Sequence, residues 1–234
     1  MRTCYCDDMD WKLTLRGLVG LILTPIIFGA PLFLSAGTLN YWQGWVFLTV
    51  FSTATALLGV YLMKNNPALL ARRMRVGPAA EKRPAQRIIM LCVLVSFALL
   101  VIVAGIDYRI AWSHLPTLVV LTGDFMVGLS YVVFYFVCRE NPFASSTIEL
   151  TEGQTVISTG LYHFVRHPMY SGGLLMWLGM PLALGSLWAL VVVVALLPLL
   201  IWRIVDEEKF LAANLQGYTE YCDKVRYRLI PWLY

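Results

Sequence analysis

RHPMYSGGLLMWLGMPLALGSLWALVVVVALLPLLIWRIVDEE, residues 166–208, is the stretch whose reading decides the fold. Two apolar runs, Pro168–Leu184 and Leu187–Val205, are separated only by Gly185 and Ser186. That gap holds a tight turn and nothing more, so the runs are expected to form a closely packed helical hairpin. Polar residues stand at its two open ends. Arg166 and His167 precede the first arm, and Arg203, Asp206, Glu207 and Glu208 close the second. The turn brings these clusters to one surface. Gly172, Gly173, Gly179 and Pro181 interrupt the first arm and Pro198 the second. Such interruptions are tolerated in a bilayer where protein or a water-filled cavity satisfies the freed backbone groups. Small residues also let helices approach closely.

Four further apolar runs precede the hairpin: Leu13–Leu34, Trp42–Met63, Ile88–Ile106 and Leu115–Cys138. A membrane-crossing helix needs about 20 predominantly apolar residues. The chain of 234 residues is 59% hydrophobic and only 14% charged, with a mean hydropathy of +0.70. This balance excludes an ordinary soluble domain. The expected fold is an all-α integral membrane protein of six transmembrane helices. The first run is too long for a cleaved leader, and Asp7, Asp8 and Asp10 precede it, so it is kept as a span.

Charge placement sets the expected orientation. The 18 Lys and Arg residues fall near the N-terminus, in 64–87, in 139–167 and after 203, with only Arg109 on the other side. The positive-inside rule makes both termini and both long loops cytoplasmic. The net charge of +4 therefore reads as topology and contact with anionic lipid headgroups. No basic helix or aromatic-basic repeat accompanies it, so nucleic acid is not an expected partner. Asn66-Pro67 is a helix-start signal for a short interfacial helix over Pro67–Met74. Cys4, Cys6, Cys92, Cys138 and Cys222 have no spacing suited to zinc and are expected as free thiols. No metal role is assigned to His114 or His163.

Several residues admit both a chemical and a structural role. Pro168 suits the first turn of a helix, with His167 near its cap. The free N–H groups there suit a carboxylate or phosphate, while Arg166 and His167 serve equally as charged anchors of a span. Arg203 and Glu207, four residues apart, share one helix face. They form either a helix-end ion pair or a cationic and an anionic group for a ligand. Asp124, in the middle of its span, is a functional candidate or a buried helix–helix contact. Tyr131 and Tyr135, four apart on one helix, are expected to pack or to snorkel.

The pattern Gly160-x-Tyr162-x-x-x-Arg166-His167-Pro168-x-Tyr170-x-Gly172, followed by Glu207-Glu208, resembles the isoprenylcysteine carboxyl methyltransferase family, bacterial type. The same region resembles membrane phospholipid methyltransferases. The resemblance continues through Leu211, Gly217-Tyr218, Tyr221, Val225 and Ile230-Pro231 and covers about 139–234. It divides the chain into an N-terminal four-helix region, 1–138, and a methyltransferase region, 139–234.

The resemblance implies S-adenosylmethionine as methyl donor, S-adenosylhomocysteine as product, and no metal. It places the cofactor against Gln154, Thr155, Val156, Ile157, Tyr162, His167, Pro168, Met169, Tyr170 and Glu207. Arg203 is then the substrate-side or catalytic residue. The donor's ammonium suits Glu207 and its carboxylate the N-terminus of the fifth span. A carboxylate acceptor is ionised at neutral pH and needs only alignment and exclusion of water, with Arg203 gripping it bidentately. An amine acceptor needs a base, for which Glu208 or His167 is the candidate. The acceptor is lipophilic and enters from the bilayer: an isoprenylcysteine-like carboxylate or a related lipid. The protein implied lies in a bacterial inner membrane with its site facing the cytoplasm. The other readings are a phospholipid amine N-methyltransferase, an NADPH-dependent ene or sterol reductase, and a non-enzymatic membrane protein.

Overall fold

The computed structural model describes residues 11–234, so Cys4, Cys6 and the three N-terminal aspartates lie outside the described residues. Among the described residues eight α-helices follow one another: α1 Trp11–Ala36, α2 Trp42–Asn65, α3 Pro67–Arg73, α4 Pro84–Ile110, α5 Thr117–Glu140, α6 Pro168–Ala183, α7 Trp188–Asn214 and α8 Tyr218–Lys224. No strand occurs among the described residues. Helices α1, α2, α4, α5 and α7 are long and apolar enough to cross a membrane. Their outer faces carry exposed apolar side chains such as Leu34, Leu118 and Phe125, the surface that a bilayer rather than water covers. Helix α6, of 16 residues, rises about 24 Å, short of a hydrocarbon core of about 30 Å. The short helix expected over Pro67–Met74 is α3, and the Asn66 side chain caps it by accepting the Leu69 N–H.

Two helix pairs bring their backbones together where side chains are absent. A Cβ on Gly105 of α4 would lie 2.6 Å from the Leu32 carbonyl oxygen of α1. One on Gly123 of α5 would lie 2.2 Å from the Ala183 nitrogen of α6. Helix α2 packs against α1 and α5, and α7 packs along α4. Rings of Phe28, Phe51, Phe97, Trp177 and Tyr131 meet in the centre. Tyr131 also bonds Thr55, and Tyr135 stacks edge-on against Tyr61, the packing roles expected of both.

The hairpin differs from its expectation. The turn is tight, with Gly185 at φ +70°, a conformation that only glycine adopts freely. Asp107 of α4 ties it down by accepting hydrogen bonds from Ser113 and Ser186, and Tyr41 donates to the Leu184 carbonyl. Beyond the turn the arms part, α6 following α5 and α7 following α4. Helix α7 also continues nine residues past the expected end at Val205. Arg203, Asp206, Glu207 and Glu208 are thereby held on a rigid helix.

The basic loop does more than mark a side of the membrane. Arg72 and Arg73 donate to the carbonyls of Pro142 and Ala144, and Arg83 pairs with Asp206 at 2.6 Å. These bonds fasten the irregular segment 141–157 and α7 to the N-terminal helices. At the other end, Gly217 at φ +84° reverses the chain after α7. The tail then returns to the start of α6, where Arg166 N–H and His167 N–H donate to the carbonyls of Tyr227 and Arg228.

Candidate functional site

Where α6 and α7 part, a cavity of about 360 Å3 opens. Its inner half is apolar, walled by Val93 and Phe97 of α4, Met176 and Trp177 of α6, and Leu199 and Leu200 of α7. Its outer half is polar and roofed by segment 141–157 with the turn around Tyr162. Gln154, Thr155, Val156, Ile157, Tyr162, His167, Met169, Tyr170, Arg203 and Glu207 all line it. Segments more than 100 residues apart in sequence contribute to one wall, since Ile89 faces the same space as Tyr218.

The polar wall is organised around Arg203, which is buried at 7% exposure. Its Nε donates to the Tyr170 hydroxyl at 2.9 Å. One terminal nitrogen donates to Glu81 Oε1 at 2.9 Å and Gln86 Oε1 at 2.7 Å, and the other to the Ser146 carbonyl at 2.9 Å. Four of the five guanidinium donors are therefore committed within the protein. This corrects the expected bidentate grip on an acceptor carboxylate, for which two adjacent free donors are needed. A hydroxyl that accepts from Arg203 must point its own proton elsewhere, and Tyr170 donates to Glu207 Oε2 at 2.5 Å. Arg203 and Glu207 are thus joined through Tyr170 rather than paired directly. The second Glu207 oxygen has no protein partner among the described residues, which leaves an anionic acceptor at the cavity wall.

Two expected site residues are placed differently. Pro168 opens α6 but does not line the cavity. Glu208 faces away from it and gathers two arginines and a histidine ring: Arg166 at 3.1 Å, His167 at 3.2 Å and Arg228 at 2.9 Å. A carboxylate so surrounded is a weak proton acceptor, so its place is that of a clamp between α6, α7 and the tail. Of the N–H groups at the start of α6 expected to receive a carboxylate, that of the N-cap His167 already serves the tail and Pro168 has none. Asp124 is buried with neither oxygen hydrogen-bonded and does not line the cavity. Among the described residues no group of three His, Cys, Asp or Glu side chains stands close enough to hold a metal.

Other residues belong to the site without having been singled out. Glu81 and Gln86, at 1% and 0% exposure, fix Arg203 from the connection before α4 and from its first turn. Asn141, at the end of α5, donates to the Tyr162 hydroxyl at 2.8 Å. Tyr221 donates to the Tyr162 carbonyl at 2.8 Å. Burial pushes the phenols of Tyr162, Tyr218 and Tyr221 well above their ordinary range, so all three remain protonated. The paired Asn141-Pro142 at a helix end was the one sequence signal for Asn141; Glu81 had none, because its importance comes from a contact 122 residues away.

Residues 118–216 match the family model described as Phospholipid methyltransferase. The match takes in α5, α6, α7 and segment 141–157, and with them most of the cavity. The chain is also similar to the Delta(14)-sterol reductase of Mus musculus, with 35% identity over 104 residues. That alignment covers 41% of this chain and 25% of the mouse protein, so the chain spans about a quarter of the curated relative it matches.

Proposed function

We propose that the protein is a membrane methyltransferase that moves a methyl group from S-adenosylmethionine to a lipophilic acceptor. The observation that carries the reading is one continuous cavity with two chemically different halves, inside the segment that matches the phospholipid methyltransferase model. The polar half offers Glu207, a carboxylate with one unpartnered oxygen, for the ammonium of the donor. The apolar half between α4, α6 and α7 suits a hydrocarbon chain. When bound, the donor supplies an electrophilic methyl on a sulfonium sulfur.

The residues of this chain then orient and shield. Tyr170 holds Glu207, Arg203 holds Tyr170, and Glu81, Gln86 and Ser146 hold Arg203, so the carboxylate is fixed before any ligand arrives. Preorganised charge of this kind acts without reorganisation cost at the moment of reaction. The segment over the polar half excludes water from a displacement that needs only alignment. The remaining Arg203 N–H is left to orient the acceptor. With Glu208 held between Arg166, Arg228 and the His167 ring, an ionised acceptor such as a carboxylate is favoured over an amine that must first lose a proton.

The similarity to a sterol reductase favours one competitor, NADPH-dependent reduction. Thermal unfolding of purified protein with S-adenosylhomocysteine and, separately, with NADPH divides the two. A ligand at 100 times its dissociation constant adds about 2.7 kcal/mol to the folded state. Stabilisation by S-adenosylhomocysteine alone, lost in Glu207→Gln, is the expected result. Stabilisation by NADPH alone overturns the proposal in favour of reduction.

A further inference from the structure

Asn141 has one amide orientation open to it. Its Oδ1 accepts the Phe143 N–H at 2.9 Å, which turns Nδ2 the other way, onto the Tyr162 hydroxyl at 2.8 Å. An amide nitrogen can only donate. The Tyr162 oxygen therefore accepts, and its own proton is left for a second partner. That proton makes no hydrogen bond to the protein among the described residues, although Tyr162 is partly buried against the cavity and its backbone is anchored through Tyr221. Burial, with the nearby Glu207 charge adding to it, keeps the phenol protonated. The polar half thus presents an oriented O–H donor and, on the wall of the same cavity, the unpartnered acceptor oxygen of Glu207. An α-amino-acid group, with a carboxylate and an ammonium on one carbon, is complementary to that pair.

We infer that Asn141 is a positioning residue that aims the Tyr162 hydroxyl at the carboxylate of the methyl donor, while Glu207 takes the ammonium. The inference rests on the donor reading above and assigns the carboxylate to Tyr162 rather than to the N-terminus of α6. It makes Asn141 a determinant of donor affinity that touches no donor atom itself.

The test is the dissociation constant of S-adenosylhomocysteine for the purified full chain, by calorimetry, with unliganded thermal unfolding as a check on folding. Tyr162→Phe is expected to weaken binding roughly ten- to a hundredfold, the scale of one hydrogen bond to a charged group. Asn141→Asp keeps the shape but replaces the donor by an acceptor, which captures the Tyr162 proton; it is expected to weaken binding by a similar factor. Asn141→Ala creates no competing acceptor and is expected to weaken binding less than Asn141→Asp. A merely structural role predicts the opposite order, because the isosteric change is the gentler one. In the Tyr162→Phe background Asn141→Asp is expected to add nothing, whereas direct repulsion of the ligand by the new carboxylate would persist there. Wild-type affinity in Asn141→Asp, or effects that add in the double variant, overturns the inference alone. No binding by the wild type overturns the donor reading and this inference with it.

Discussion

Arg203 is the residue in which the site is most concentrated. Its guanidinium has four acceptors in four parts of the chain: Tyr170 on α6, Glu81 before α4, Gln86 on α4 and Ser146 in the roof. A buried ion pair contributes little net stability while intact, but removing one partner leaves the other charge without compensation. Glu81→Ala is therefore expected to destabilise the protein by about 3–5 kcal/mol. Glu81→Gln, whose amide oxygen still accepts from Arg203, is expected to cost clearly less; denaturant or thermal unfolding in detergent measures both. Equal losses in the two variants would mean that volume, not the acceptor, matters at Glu81. The sequence pointed to Arg203 through its four-residue spacing from Glu207. It did not show that Tyr170 stands between them, because the hydroxyl comes from a different helix.

Among the helices, the consequential fact is that α6 belongs to α5 and α7 to α4. The α5–α6 contact depends on Gly123 and Gly179, where a Cβ would lie within 3 Å of the facing helix. Gly123→Ala would drive its methyl into the Ala183 backbone, which cannot rotate away. Overpacking costs typically about 1–3 kcal/mol, and a backbone obstacle puts this site at the upper end of that range. The expected outcome is a lowered unfolding temperature with S-adenosylhomocysteine binding weakened in parallel, since α6 carries Tyr170. Helix existence was legible from apolar runs of about 20 residues, and α3 from Asn66-Pro67. Partner choice was not, because Gly172, Gly173 and Gly179 show only that some close neighbour exists. Adjacency in sequence suggested α7, and the tertiary contacts give α5.

At the scale of the whole molecule the two halves of the chain build one cavity. The segment matching the methyltransferase model supplies the carboxylate and the tyrosines. The N-terminal half supplies Glu81 and Gln86 behind Arg203, and Arg72 and Arg73 beneath the roof. Gly173 lines the cavity, and a Cβ there would meet nothing within 4 Å. Gly173→Leu is accordingly expected to leave the unfolding temperature and S-adenosylhomocysteine binding near wild type while filling the space for an acceptor chain. Transfer of labelled methyl into a membrane lipid extract is expected to fall by an order of magnitude or more. Undiminished transfer would remove the apolar half from the acceptor's path.

By itself the sequence determined that the chain is helical and membrane-bound, and that polar groups cluster at one end of its last two long segments. Those properties follow from local quantities: the length of apolar runs, the position of prolines and glycines, and the sidedness of charge. Only the tertiary structure decided that the hairpin arms separate and that the gap between them is the site. It also decided that Glu208 clamps the tail while Glu207 faces the cavity, although the two are neighbours on one helix. A residue's direction of facing depends on which partners surround its helix, and those partners lie 20 to more than 100 residues away, at Arg228, at Arg166 and in the connection before α4.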